Sequence, residues 1–172
     1  MMKDVVRVRV PLAGPGSTVK LAVWLAAGVD YGDIIALHGD LGAGKTTFAR
    51  GFIQALLGEE EVPSPTFSLV QTYAPTQGDA PSVWHFDLYR LEQPGEAFEL
   101  GIDEAFDQGV SLIEWPERLG PYLPKDHLKL TLRFGAGETA RVAELEGGRS
   151  WAARLEDLAR EFPGATVVNG DC

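Results

Sequence analysis

Residues 39–46 read GDLGAGKT and satisfy G-x-x-x-x-G-K-[ST] at every fixed position. The chemistry such a loop supports is the holding of phosphate. Glycines at 39, 42 and 44 leave out the Cβ atoms that would stop backbone N–H groups from turning inward onto phosphate oxygens. Lys45 carries a mobile ammonium to the β- and γ-phosphates, and the Thr46 hydroxyl is a hard oxygen ligand for Mg²⁺. A helix starting at Thr46 adds free N–H groups and the positive end of its dipole. The pattern is rare by chance at this composition. An apolar run before it and an amphipathic segment after it make an accidental glycine turn rarer still.

Phosphate chemistry also requires a carboxylate near the threonine and a group to orient an attacking water. Two apolar runs end in an acid. Glu114 closes the run VSLIEW (110–115) as a Walker-B acid does, and Asp87 closes the run in VWHFDLYR (83–90). Their residue types leave open which one serves the metal and which the water. His85 and Asp87 form an H-x-D pair, but no third ligand is spaced beside them, so a hydrogen-bonding histidine is expected rather than a metal ligand. Guanine specificity is not indicated: the single asparagine, Asn169, lies in the tail, so N-K-x-D is missing, and no D-x-x-G occurs. ATP is therefore expected over GTP. The arginines are scattered and predict neither a kinase-like lid nor an arginine finger beside the loop.

The elements that must position these residues can be read from periodicity. Residues 5–10, VVRVRV, alternate as a half-exposed strand that Pro11 is expected to end. A helix follows over 16–28, capped by Ser17 or Thr18. Residues 33–38 form a buried strand, then the loop, then a helix from 46 with Phe48, Phe52, Ile53, Leu56 and Leu57 on one face and Gly58 as its stop. SLVQTY and SVWHFDLY predict a hairpin with a long tip. Residues 94–109 predict one or two short helices broken at Gly101, and 110–115 another buried strand. HLKLTLRF and ARVAELEG flank GAGET as a second hairpin, and 150–162 reads as an amphipathic closing helix with Trp151, Leu155, Leu158 and Phe162 aligned. The four tryptophans are expected in the core, with Trp115, next to Glu114, the exception to watch.

The whole chain agrees with one α/β domain over residues 1–172. A net charge of −10 disfavours independent grip on nucleic acid, so a nucleotide site must build its positive potential locally. Cys172 is the single cysteine, which excludes an intrachain disulfide and fits a reducing, cytoplasmic setting. Charges at Lys3, Asp4, Arg7 and Arg9 interrupt the apolar residues a signal peptide would need, and no run is long enough to predict a membrane span.

Five blocks, GDLGAGKTTFARGF, SPTFSLV, HFDLYRL, ELGIDE and LIEWPERLG, resemble in order and spacing the TsaE (YjeE) family, over about residues 33–120. The resemblance implies a small bacterial ATPase with a P-loop NTPase-like fold, a mixed central sheet flanked by helices. It further implies a role, with the TsaD and TsaB proteins, in threonylcarbamoyladenosine modification of tRNA, as an ATPase switch and not as the transferase. Carried onto this sequence, it implies ATP held by Gly42, Ala43, Gly44, Lys45, Thr46 and Thr47, and Mg²⁺ held by Thr46 and Glu114. Lys45 and Asp87 are the implied catalytic residues, and Ser64, Pro65, Thr66 and Phe67 match a segment likened to a GTPase switch. Contact with tRNA is expected to run through the partners, and turnover alone to be slow. A P-loop small-molecule or protein kinase is the rival enzyme reading, and a nucleotide-binding adaptor that barely hydrolyses is a third. The closing helix and tail carry no motif of the family.

Overall fold

The computed structural model describes residues 5–58, 62, 68–75 and 78–168. Its strands are β1 (Val6–Leu12), β2 (Ile34–His38), β3 (Val70–Tyr73), β4 (Val83–Asp87), β5 (Val110–Glu114), β6 (Leu128–Phe134), β7 (Arg141–Gly147) and β8 (Thr166–Val167). The α-helices are α1 (Pro15–Ala27), α2 (Lys45–Leu57), α3 (Ile102–Gln108) and α4 (Ala152–Glu161). Pro94–Leu100, Pro116–Tyr122 and Arg149–Trp151 form 3-10 helices. The expected segment Ser64–Phe67 lies outside the described residues.

The strands make one eight-stranded mixed sheet in the order β3-β4-β5-β2-β6-β7-β1-β8. Its centre, β4-β5-β2-β6, is parallel, and the flanking pairs are antiparallel. Sequence type follows position. β2 and β5 are covered on both faces and are continuous apolar runs, as buried parallel strands must be. β1 and β6 alternate because one of their faces is open. Helices α1, α2 and α4 bury Leu21, Phe48, Phe52 and Leu155 on one face of the sheet. On the other, α3 and the 3-10 helices Pro94–Leu100 and Pro116–Tyr122 enclose a smaller core around Phe86, Ile102 and Ile113. Both hairpins form as expected, β3-β4 and β6-β7.

Pro11 does not end the first strand; it pairs with Val142 inside it. Arg7 turns its carbonyl to β8, accepting the N–H of Val168 at 2.9 Å. Pro11, four residues on, turns the same way, beyond Val8 and Arg9, the residues that β8 pairs. Its missing N–H is therefore not needed. The first helix also begins before the expected Ser17 or Thr18 cap: Gly14 is the N-cap and Pro15 occupies the first turn, where a missing N–H costs nothing. Of the tryptophans only Trp151 is fully buried; Trp24, Trp84 and Trp115 are half-buried.

The closing helix is tied to the sheet by an ion pair that has no signature in the sequence. Arg154 donates to both oxygens of the nearly buried Asp33, at 2.6 and 3.1 Å, just ahead of β2. Its guanidinium also lies 3.6 Å from the centre of the Trp151 ring. Arg154→Ala leaves the Asp33 carboxylate with the Asp30 N–H but no counter-charge, and is expected to destabilise the protein by about 1–3 kcal/mol. Urea unfolding measures this, and a midpoint equal to wild type would make the pair idle.

Candidate functional site

Because β2, β4 and β5 are parallel, their carboxyl ends share one edge of the sheet, the edge at which open α/β sheets bind ligands. Register then does what spacing in sequence cannot. Asp87 is paired with Glu114, and Glu114 with Leu37, two residues before the glycine loop. Residues remote in the chain are thus neighbours across three strands.

The loop's shape depends on Gly39 and Gly44. At Gly39, φ is +147° and a Cβ would stand 2.7 Å from the Leu132 carbonyl, so no other residue fits without moving backbone. Gly44, at φ +109°, is the left-handed N-cap of α2 and accepts the Phe48 N–H at 2.9 Å. The helix thereby starts at Lys45, one residue earlier than expected. Lys45 is 6% exposed. Its ammonium donates to the Gly39 carbonyl at 2.5 Å and stands 3.9 Å over the Trp115 ring. Burial pushes its pKa down, against the pull of Glu114, Asp87, Glu117 and Asp40, which favour the charge.

Glu114 is 3% exposed, and only one of its oxygens has a short hydrogen-bond contact. One lies 2.8 Å from His85 Nε2, and the other 3.4 Å from the Thr46 hydroxyl. Asp87 is half-buried. Its N–H donates to the Leu69 carbonyl at 2.9 Å, and its Oδ1 accepts the Tyr89 N–H at 3.2 Å. Burial raises its pKa and the Glu114 charge adds to the rise, while the Tyr89 N–H and Lys45 oppose it. Trp115 adopts φ 59°, a left-handed conformation uncommon for a bulky residue. The kink sends the chain away from the sheet and sets the ring against Lys45 and, at 5.0 Å, Tyr89.

These side chains line one cavity of about 440 Å³, within the range of small-molecule sites. Gly42, Gly44, Lys45, Thr46, Thr47, Asp87 and Glu114 all reach it. Ala43 does not: its methyl is buried in the main core, which leaves only its backbone to serve a ligand. The donors at the two ends differ in kind. Loop amides and the start of α2 suit phosphate. The Thr46 hydroxyl and Glu114 carboxylate are hard oxygens, the donors Mg²⁺ takes when phosphate completes its shell.

Sequence reasoning missed Leu41, Tyr89 and Arg90, which also line the cavity. Its expectation that no arginine stands by the loop needs correction. Arg90 reaches the cavity from the turn after β4, and Arg141, opening β7, donates to the Gly42 carbonyl at 3.2 Å. Arg90 is three residues from Asp87 and could have been flagged by that spacing. Arg141 could not, since only the strand order brings the second hairpin to the loop. His85 bonds to Glu114, the hydrogen-bonding part expected of it.

Comparison with known proteins identifies the family. The family model "Threonylcarbamoyl adenosine biosynthesis protein TsaE" matches residues 12–142, wider than the motif blocks alone. The Bacillus subtilis tRNA threonylcarbamoyladenosine biosynthesis protein TsaE is 36% identical over 147 residues, 85% of this chain and 90% of that protein. Its counterpart from Rickettsia felis is 48% identical over 142 residues, 82% of this chain and 81% of the relative. The crystal structure of Bacillus subtilis YdiB superposes with a TM-score of 0.74 at 31% identity, covering 92% of this chain and 97% of that one. Sequence blocks, mixed sheet and whole-chain similarity converge, and the chain belongs to the TsaE family of tRNA threonylcarbamoyladenosine biosynthesis proteins.

Proposed function

We propose that this chain is an Mg²⁺-dependent ATPase of the P-loop NTPase-like class, a single domain over residues 1–172. In this reading it works in the cytoplasm as a nucleotide-driven switch, with TsaB and TsaD, in threonylcarbamoyladenosine modification of tRNA. One observation carries the ATPase reading: Lys45 and Thr46 on the glycine loop share a cavity with Asp87 and Glu114 from two adjacent strand ends. Such a set can bind a triphosphate, hold a hard cation and direct a water, the parts phosphoanhydride hydrolysis requires.

The residues divide the work by their surroundings. Amides of Gly42 to Thr47 and the Lys45 ammonium bind and orient the phosphates. Thr46 and Glu114 are the oxygens suited to Mg²⁺, which when bound neutralises charge on the β- and γ-phosphate oxygens. Glu114 is held by His85 at one oxygen and faces the Thr46 hydroxyl with the other, so the water falls to Asp87, which opens on the cavity and whose burial makes it a better proton acceptor than a surface carboxylate. Asp87 accepts the water's proton as the water oxygen bonds to the γ-phosphorus and the bond to the ADP oxygen breaks. Trp115 and Tyr89 wall the cavity beside Lys45 and limit its access to bulk water.

The net charge of −10 supports a partner-docked role, with tRNA reached through TsaB and TsaD. The test is ATP turnover by the isolated chain and with the TsaB–TsaD pair. Slow hydrolysis alone, faster by about tenfold or more with the pair, is the expected result for a site whose partner completes it. Turnover indifferent to the pair would overturn the switch, and γ-phosphate delivered to an acceptor other than water would put a kinase in its place.

A further inference from the structure

The buried imidazole beneath the cavity has no part in the chemistry given so far. His85 is fully buried in the middle of β4, two residues before Asp87. A polar ring in that place costs desolvation, and an apolar residue would fill a strand core more cheaply. Its Nε2 lies 2.8 Å from Glu114 Oε2, while its Nδ1 is enclosed with no hydrogen-bond partner among the described residues. Placing the proton on Nε2 satisfies both facts. The carboxylate then receives an N–H, and Nδ1 is left as a bare lone pair, which is less costly to bury than an unpaired N–H.

Glu114 needs such a restraint. It is the last residue of β5, and the backbone departs into the left-handed turn at Trp115 directly after it. Its other oxygen is 3.4 Å from the Thr46 hydroxyl, too long for a strong O–H···O bond. Thr46 therefore does not anchor the carboxylate; the 2.8 Å bond to His85 does. We propose that His85 is a positioning residue for Glu114: its Nε2–H holds one carboxylate oxygen so that the other is presented to the Thr46 hydroxyl. The inference rests on the reading above that gives Thr46 and Glu114 to Mg²⁺. Residues that orient a metal's ligands commonly set its affinity by about 10- to 100-fold.

The experiment titrates Mg²⁺ against binding of a fluorescent ADP analogue, and separately measures that analogue's affinity in EDTA. His85→Leu is expected to raise the half-saturating Mg²⁺ concentration about tenfold and to leave metal-free affinity within about twofold. His85→Gln carries an amide N–H at about the reach of the imidazole Nε2 and is expected to return to within about threefold of wild type. The shorter His85→Asn cannot reach, and should behave like the leucine variant while keeping a polar group, which covers the case in which leucine fails to fold. In a Glu114→Gln background His85→Leu should add no more than about twofold, since the two act through one carboxylate. A Mg²⁺ midpoint unchanged in His85→Leu and His85→Asn overturns the proposal. So does a parallel fall in metal-free affinity and melting temperature, which would make His85 a packing residue. Wild-type binding that ignores Mg²⁺ would instead overturn the metal reading itself, and the inference with it.

Discussion

Lys45→Met is expected to weaken ATP binding by about 100-fold or more, equivalent to about 2.8 kcal/mol. The magnitude follows from what surrounds the ammonium. Glu114, Asp87, Glu117 and Asp40 all act on Lys45, in a chain whose net charge is −10. Remove the one charge at their centre and the cavity presents carboxylates to an incoming polyphosphate. The amides of the loop remain, but dipoles at a helix start do not offset that many anions. Charge-assisted hydrogen bonds in a partly desolvated site are worth about 1.5–3 kcal/mol each, which sets the scale. Methionine keeps an apolar stem against Trp115, so the change isolates the charge. Stability should hold within a few degrees of melting temperature, because burial already disfavours the ammonium. Equilibrium titration with an ADP analogue decides the matter. Affinity within threefold of wild type would mean that the loop amides and Arg90 hold phosphate without the Lys45 charge.

That prediction could be written from the sequence, since Lys45 is named by the motif. The setting that gives it its size could not. Glu117 reaches Lys45 only because the chain turns sharply after β5, and that turn depends on a tryptophan at positive φ, against the residue's usual preference. Elements with strong patterning were legible: β2, α2, β5 and both hairpins stand where apolar runs, helical spacing and alternation put them. Pro11 was misread because its tolerance depends on how short a neighbouring strand is, a property of residues 166–167 far along the chain. The two-residue β8 itself is too short for any period to reveal. At the site, residue types and strand ends picked out Asp87 and Glu114, and the proposed division of labour between them draws on a hydrogen bond to His85 that no spacing encodes. Ala43 shows how a motif position can divide its work: its methyl serves the core, and only its backbone is left for a ligand.

The division of labour between the two carboxylates yields the second large effect. Asp87→Asn is expected to lower kcat for ATP hydrolysis by about 100-fold or more while ATP affinity stays within about threefold. Asparagine keeps the size of the side chain and can still accept the Tyr89 N–H, so the β4 turn is retained. What it loses is the capacity to take a proton from water. Burial has already raised the affinity of Asp87 for that proton, and the Glu114 charge across the register pair raises it further. Glu114→Gln should fail in a different way. It removes a charged oxygen 3.4 Å from the Thr46 hydroxyl, so its deficit should ease as Mg²⁺ is increased, whereas that of Asp87→Asn should not. Single-turnover hydrolysis at low and high Mg²⁺ separates the two. If excess Mg²⁺ rescued Asp87→Asn and not Glu114→Gln, the roles would be exchanged, and the carboxylate held by His85 would be the one that meets the water.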